Sequence, residues 1–336
     1  MKSGIGKSRV LLALLVCSCS RIESSPNEIQ SFSGRTMGTT YSVRFHDLPP
    51  TADIVAIHEK TQTLLDQLDH AMSTYRGYSE ICRFASHRGT NWFDVSTATA
   101  RVVAESLRIS EICDGSFDVT IDPLVRLWGF GPTQKKDQVS SEIDIAAAMR
   151  HVDYRKLHVR LDPPAIRKED PEISIDLSAI AKGYAADAVA ELLEKIEITN
   201  YLIAIAGENR ARGTWKIGIE KPSDDSRQIL QGITVTDCAI STSGDYRNFF
   251  VAGGHRYSHE IDPRTGRPVS NNVASVTVIA PAGAMADAMA TALMVIGPES
   301  GIAIAKNSHI ACLFVIRKGD GFDKIATPDF DAMSRD

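Results

Sequence analysis

The sequence has no surplus of positive charge, no long hydrophobic run, few aromatic residues and few cysteines. Each shortage removes a class of function. Lys plus Arg total 37 against 42 for Asp plus Glu in 336 residues, a formal charge of -5. Nucleic-acid binders carry the opposite balance, because phosphate contacts dominate their affinity, so no nucleic-acid partner is expected. Residues 1–18 hold Lys2, Lys7 and Arg9 and no acid, so the remainder is more acidic still. No apolar stretch approaches the roughly 20 residues that cross a bilayer, and the body of the chain is expected to be soluble. Cys82, Cys113, Cys238 and Cys312 lie far apart without CxxC spacing, which argues against a zinc site. Whether they pair in an oxidising compartment or stay as buried thiols is open at this level. What remains is an ordinary globular mixture, 43% hydrophobic and 24% charged, long enough for two domains.

The first residues read as an address. Lys2, Lys7 and Arg9 precede the apolar run Val10–Val16, the pattern of a secretory signal. Cys17-Ser18-Cys19-Ser20 follows, and Cys19 resembles a bacterial lipidation site, with small Ser18 before it and Val16 three positions back. The other reading is a cleaved signal with incidental cysteines. The division expected is a signal peptide over 1–18, a lipidated tether over 19–32 and a catalytic domain over 33–330. That places the protein outside the cytoplasm, anchored by lipid to the bacterial membrane and facing the periplasm.

Periodicity predicts a strand pair over Ser33–Phe45 and helices over Ile54–Leu68, Thr97–Cys113 and Glu142–Met149. Trp128-Gly129-Phe130-Gly131-Pro132 reads as irregular loop. Ile173–Leu177 reads as a short strand, with Ser178 placed to cap a helix over Ala179–Lys195. Strands are expected at Tyr201–Ala206, Trp215–Glu220, Ile229–Val235, Ala239–Ser243, Arg256–Ile261, Ala274–Ile279 and Ala311–Ile316. A helix fits Ala284–Ile296, closed by Gly297-Pro298. Strands and helices alternate without a regular βαβ period, so the class is α+β.

Three segments carry chemistry. In Met285–Ile296 the only polar side chains are Asp287 and Thr291, which share a face at i and i+4. A lone buried carboxylate is costly unless paired or bound to metal, and carboxylate plus hydroxyl suits a hard cation such as Mg²⁺. The alternative is that Asp287 caps a neighbouring loop and Thr291 bonds back to its own helix. Asp176–Asp187 reads as a strand feeding a helix start, where free N–H groups favour phosphate. In Ser258–Pro268, His259 stands beside a turn bearing Arg264 and Arg267, able to serve as a base or to meet anionic groups, or simply to lie on a solvated hairpin. Ser241–Arg247 is a similar polar turn.

Taken in order, these segments resemble the FAD:protein FMN transferase family, the ApbE family of flavin-transferring lipoproteins. Gly34–Thr39, Met72–Tyr75, Ser116–Thr120 and the Trp128–Pro132 loop belong to the same ordered set, which runs to Gly297. The resemblance implies an ApbE-like α+β fold of two interleaved α/β subdomains with mixed, mainly antiparallel sheets. It implies Mg²⁺-dependent transfer of FMN from FAD to a threonine of an exported or membrane flavoprotein subunit, such as one of a membrane redox complex, with AMP released. Carried over by motif, Asp287, Thr291 and the Ala179 carbonyl would hold the metal. Met37, Tyr75, Ser116, Phe117, Asp118, Asp176, Lys182 and Ile261 would line the FAD site, and His259 would act in acid–base or phosphate contact. The sequence departs from the family at Ala206, where a glycine is usual, and at Ala290, where some members carry a second acid. A metal-dependent FAD pyrophosphatase and a non-catalytic FAD-binding lipoprotein are the alternative functions.

Overall fold

The strand Val273–Ala280 shows where the layers lie, because all eight of its residues are buried. Val276 and Val278 enter one hydrophobic core while Ile279 enters another, the period-2 alternation of a strand covered on both faces. The computed structural model describes residues 29–132, 139–223 and 228–333. Its largest sheet has eight strands whose spatial order is also their order along the chain. They are β1 (Gln30–Thr36), β2 (Thr39–Phe45), β3 (Tyr201–Ile205), β4 (Glu208–Arg212), β5 (Ala239–Gly244), β6 (Val273–Ala280), β7 (Ala311–Lys318) and β8 (Gly321–Ala326). Every neighbouring pair is antiparallel. The fold is therefore an antiparallel meander with the rest of the chain inserted between its strands, and the α+β class holds.

The largest insertion, residues 46–200, supplies helices α1 (Ile54–Met72), α2 (Thr97–Ile112) and α3 (Ala181–Glu194) and a three-stranded sheet centred on Pro164–Lys168. Helix α4 (Gly283–Ile296) joins β6 to β7. Both halves of the chain interleave in the main core: Tyr41, Leu65, Val103 and Ala186 share it with Val276, Met289 and Phe314. The opposite face is covered by the hairpin Thr214–Glu220/Ile229–Thr236, through Trp215, Ile219, Ile233 and Val235, and by Phe330. A third cluster joins Leu124, Trp128, Phe130 and Ile145 to Phe250 and Ile261 of the hairpins between β5 and β6. Cys82, Cys113, Cys238 and Cys312 are all free thiols. Burial pushes the Cys113 thiol up to about 12, so it behaves as a small apolar residue against Met289.

Three local expectations change and a fourth holds with an addition. Ile173–Leu177 makes no strand: Ile173, Ile175 and Leu177 are buried in alternation, but among the described residues no strand pairs with them. Their backbone is held by other means. The fully buried Lys168 ammonium donates to the carbonyls of Ile173 at 2.8 Å and Phe84 at 3.0 Å, and Asp176 N–H donates to Val119 O at 2.8 Å. Ser178 caps no helix, because its N–H and its hydroxyl both go to Asp176 Oδ1 and the helix begins only at Ala181. Arg256–Ile261 is broken into His255–Ser258 and Ile261–Asp262, with His259 and Glu260 between them. Gly297-Pro298 ends α4 as expected but also starts the helix Pro298–Asn307, since proline is accepted in a first turn whose N–H groups are unpaired anyway.

Candidate active site

A cleft of about 850 Å³ opens between the starts of α3 and α4, the β5–β6 hairpins and the Thr214–Glu220 strand. Tyr75, Ser116, Phe117, Asp118, Asp176, Ala179, Lys182, His259, Ile261, Asp287 and Thr291 all line it. These residues span more than 200 positions of sequence, so their convergence is a product of the fold. Met37 is not in the cleft wall. It occupies the β1–β2 turn at φ 48° and packs against the main core, while its neighbours Thr39 and Thr40 reach the cleft. Cys19, the signal peptide and most of the tether lie outside the described residues.

The floor of the cleft is a charged cluster. Asp287 is only 3% exposed, and its Oδ2 accepts from Gly183 N–H at 2.9 Å. Lys182 Nζ lies 3.9 Å from the same oxygen, 3.1 Å from Glu208 Oε1, and donates to Ser178 O at 3.0 Å. Burial pushes the Asp287 carboxyl up to about 7; Lys182 opposes that rise and Glu208 adds to it. Burial pulls the Lys182 ammonium down, yet Asp287 and Glu208 outweigh it and the net shift is upward. Lys182 is thus the counter-ion that makes a buried carboxylate tolerable here. The capping reading of Asp287 and Thr291 is met in part. Asp287 does bond to a neighbouring helix start, whereas Thr291 reaches Ser243 Oγ at 3.0 Å rather than its own helix.

The donor chemistry fits a hard divalent cation. Asp287, Thr291 and Ala179 offer carboxylate, hydroxyl and carbonyl oxygen in one wall of one cleft. Among the described residues no cage of three or more His, Cys, Asp or Glu is present. A cation that takes few protein oxygens and completes its shell with phosphate and water, as Mg²⁺ does, suits such a site.

His259 lines the same cleft. Its Nδ1 faces Asn248 O at 3.0 Å, and a carbonyl can only accept, so Nδ1 donates and Nε2 is the nitrogen outside that bond. Nε2 stands 3.7 Å from Glu260 Oε1, and burial raises the Glu260 carboxyl. Asp118 is committed to structure: it accepts from Thr120 N–H at 2.7 Å and Tyr154 N–H at 2.9 Å. Ser116 Oγ is buried in the cleft wall beside the Cys113 thiol, with no other partner among the described residues. Sequence reasoning assigned no role to Glu208 or Glu260, and included Ser243 only within the polar turn Ser241–Arg247. Their signal was adjacency to flagged positions, since Glu208 follows the Ala206 turn and Glu260 separates His259 from Ile261.

Residues 37–314 match the sequence model of the ApbE family. The FAD:protein FMN transferase of Vibrio cholerae serotype O1 is 42% identical over 323 residues, 94% of this chain and 95% of that protein. This chain belongs to the ApbE family. The FAD:protein FMN transferase of Escherichia coli (strain K12) is 38% identical over 316 residues, covering 91% of this chain and 89% of its own. The solved flavin transferase ApbE of Vibrio cholerae superposes with a TM-score of 0.83 at 41% identity, over 91% of this chain and 99% of that one. The apo flavinyl transferase ApbE of Pseudomonas stutzeri gives 0.83 at 36%, over 91% and 97%. All the cleft residues named above fall inside the family match.

Proposed function

We propose that this chain is an FAD:protein FMN transferase that moves FMN from FAD to a threonine of an acceptor flavoprotein subunit, with Mg²⁺, releasing AMP. The observation that carries it is the buried Asp287, placed with Thr291, Ala179 and Lys182 in one cleft that His259 also lines. The threonine oxygen forms a bond to the FMN phosphorus, and the P–O bond to the AMP phosphate breaks. AMP leaves with the bridging oxygen, and the threonine proton passes to His259 Nε2. Asp287, Thr291 and the Ala179 carbonyl would hold Mg²⁺, which when bound would offset charge on the pyrophosphate and leaving phosphate. Lys182 adds positive charge beside Asp287, and Ser116 lines the cleft that FAD would enter. The remaining demand is to align the threonine with the phosphorus, which a cleft between rigid helices and hairpins meets. Export, lipidation at Cys19 and attachment to the membrane facing the periplasm complete the reading, since the acceptor is an exported or membrane subunit.

The test mixes the full chain with FAD, Mg²⁺ and a candidate flavoprotein subunit, and records the acceptor's intact mass with and without chelator. A metal-dependent gain of one FMN, lost when the acceptor threonine is changed and lost in Asp287→Ala, is the expected result. Asp287→Ala with undiminished Mg²⁺-dependent labelling would sink the assignment. Free AMP and FMN without labelling would point to a pyrophosphatase, and tight FAD with neither product to a storage protein.

A further inference from the structure

Helices α3 and α4 both start without a side-chain cap of their own and with no acid in the first turn. Each takes its cap from the other. Asp187, in the second turn of α3, accepts from Gly283 N–H at 2.7 Å through Oδ1 and from Ala284 N–H at 3.0 Å through Oδ2. Asp287, in the second turn of α4, accepts from Gly183 N–H at 2.9 Å. The exchange requires the two backbones to touch. A Cβ on Gly183 would lie 2.1 Å from Gly283 O, and one on Gly283 would lie 2.3 Å from Gly183 O. Arg210 Nε stands 3.5 Å from Asp187 Oδ1 and supports its charge.

Asp187 is not part of the cleft wall, whereas Asp287 and Thr291 are. The oxygens assigned to the cation are divided between two elements: Ala179 just before α3, and Asp287 and Thr291 on α4. Their spacing is therefore set by how α4 is seated on α3, and the two Asp187 bonds seat its first turn. We infer that Asp187 is a positioning residue for the metal site, fixing Asp287 and Thr291 relative to Ala179 through the start of α4. The inference rests on the Mg²⁺ reading given above. Asparagine at 187 keeps the size of aspartate but only one accepting oxygen. One N–H of α4 then loses its partner and the helix start loses its negative charge, while the fold is retained. Alanine removes both bonds.

The test follows the thermal unfolding midpoint of the full chain as Mg²⁺ is added, without FAD or acceptor. Wild type gains stability saturably. In Asp187→Asn the Mg²⁺ concentration at half-effect rises about 10-fold or more, the usual consequence of losing a residue that orients a metal ligand, and further still in Asp187→Ala. Thr327→Val, which removes a buried bond to Cys312 N–H outside the cleft, supplies a destabilised control whose half-effect concentration stays at the wild-type value. An Asp187→Asn protein that melts earlier but binds Mg²⁺ as wild type does would overturn the inference and leave the Mg²⁺ reading standing. An equal shift in Thr327→Val would overturn it too, by showing the effect to be general. A wild type indifferent to Mg²⁺ would overturn both.

Discussion

Gly183→Ala sets two effects of opposite sign against each other. In an exposed helix interior, glycine to alanine stabilises by about 1 kcal/mol, because alanine loses less backbone entropy on folding. At Gly183 the new Cβ would sit 2.1 Å from Gly283 O, 2.5 Å from its carbonyl carbon and 2.8 Å from Asp287 Cβ, where ordinary contact begins at 3.4 Å. Two of those neighbours are backbone, so no rotamer relieves the clash and the helices must separate by more than an ångström. Overpacking of that kind costs about 1–3 kcal/mol. Separation also stretches the Gly183–Asp287 bond and the pair held by Asp187, and a bond to a buried charged group contributes about 1.5–3 kcal/mol. These terms outweigh the propensity gain, leaving a net loss of about 2–5 kcal/mol. For a chain of this size that corresponds to a midpoint roughly 3–7 °C lower. Thermal unfolding followed by circular dichroism measures it. A Gly183→Ala protein that melts at or above the wild-type temperature would mean that α3 and α4 are not in backbone contact, and the mutual capping would fall with it.

Two further outcomes follow from the same residues. Metal binding requires the Asp287 carboxylate, and burial holds that group up to about 7, so Mg²⁺ affinity should climb as pH rises toward about 7 and level off above it. Calorimetric titrations on either side of neutrality give the slope, and a flat profile would refute the assignment. In the metal-free protein the sign is opposite: the folded value lies above the unfolded one, so the folded state holds the extra proton. Asp287 then lowers stability progressively as pH rises from about 4 through about 7, and urea unfolding of the apo protein that strengthened through this residue over that range would contradict it. Ala206 lines the cleft at φ 58°, a left-handed conformation that costs a non-glycine residue about 1–2 kcal/mol. Ala206→Gly should therefore stabilise by about 0.5–1 kcal/mol after glycine's greater unfolded entropy is counted, and a loss in urea unfolding would show that its Cβ packs usefully.

What was legible in the sequence was whatever a single segment states about itself. Helix α4 is apolar all round except at Asp287 and Thr291, so its burial and the need to satisfy a buried carboxylate follow from one stretch of residues. Six of the eight meander strands were readable for the same reason, their alternation being local, whereas Glu208–Arg212 and Gly321–Ala326 were not expected as strands. The family was readable because many weak motifs occur in one order over more than 250 residues, and ordering multiplies their specificity. Ile173–Leu177 marks the boundary of this reasoning. Its alternation reports true burial, but a strand also needs a partner, and here Lys168 and Val119 hold the backbone instead. The capping of α3 lies beyond that boundary. Ser178 has the right chemistry at the right spacing, and the cap comes instead from Asp287, on another helix about 100 residues away. No window along the chain contains that relation. Its local trace is two glycines near the starts of two uncapped helices, and only contact between Gly183 and Gly283 gives them meaning. The same contact that completes α3 buries the Asp287 carboxylate beside Lys182, so the feature least visible in the sequence is the one that sets the electrostatics of the site.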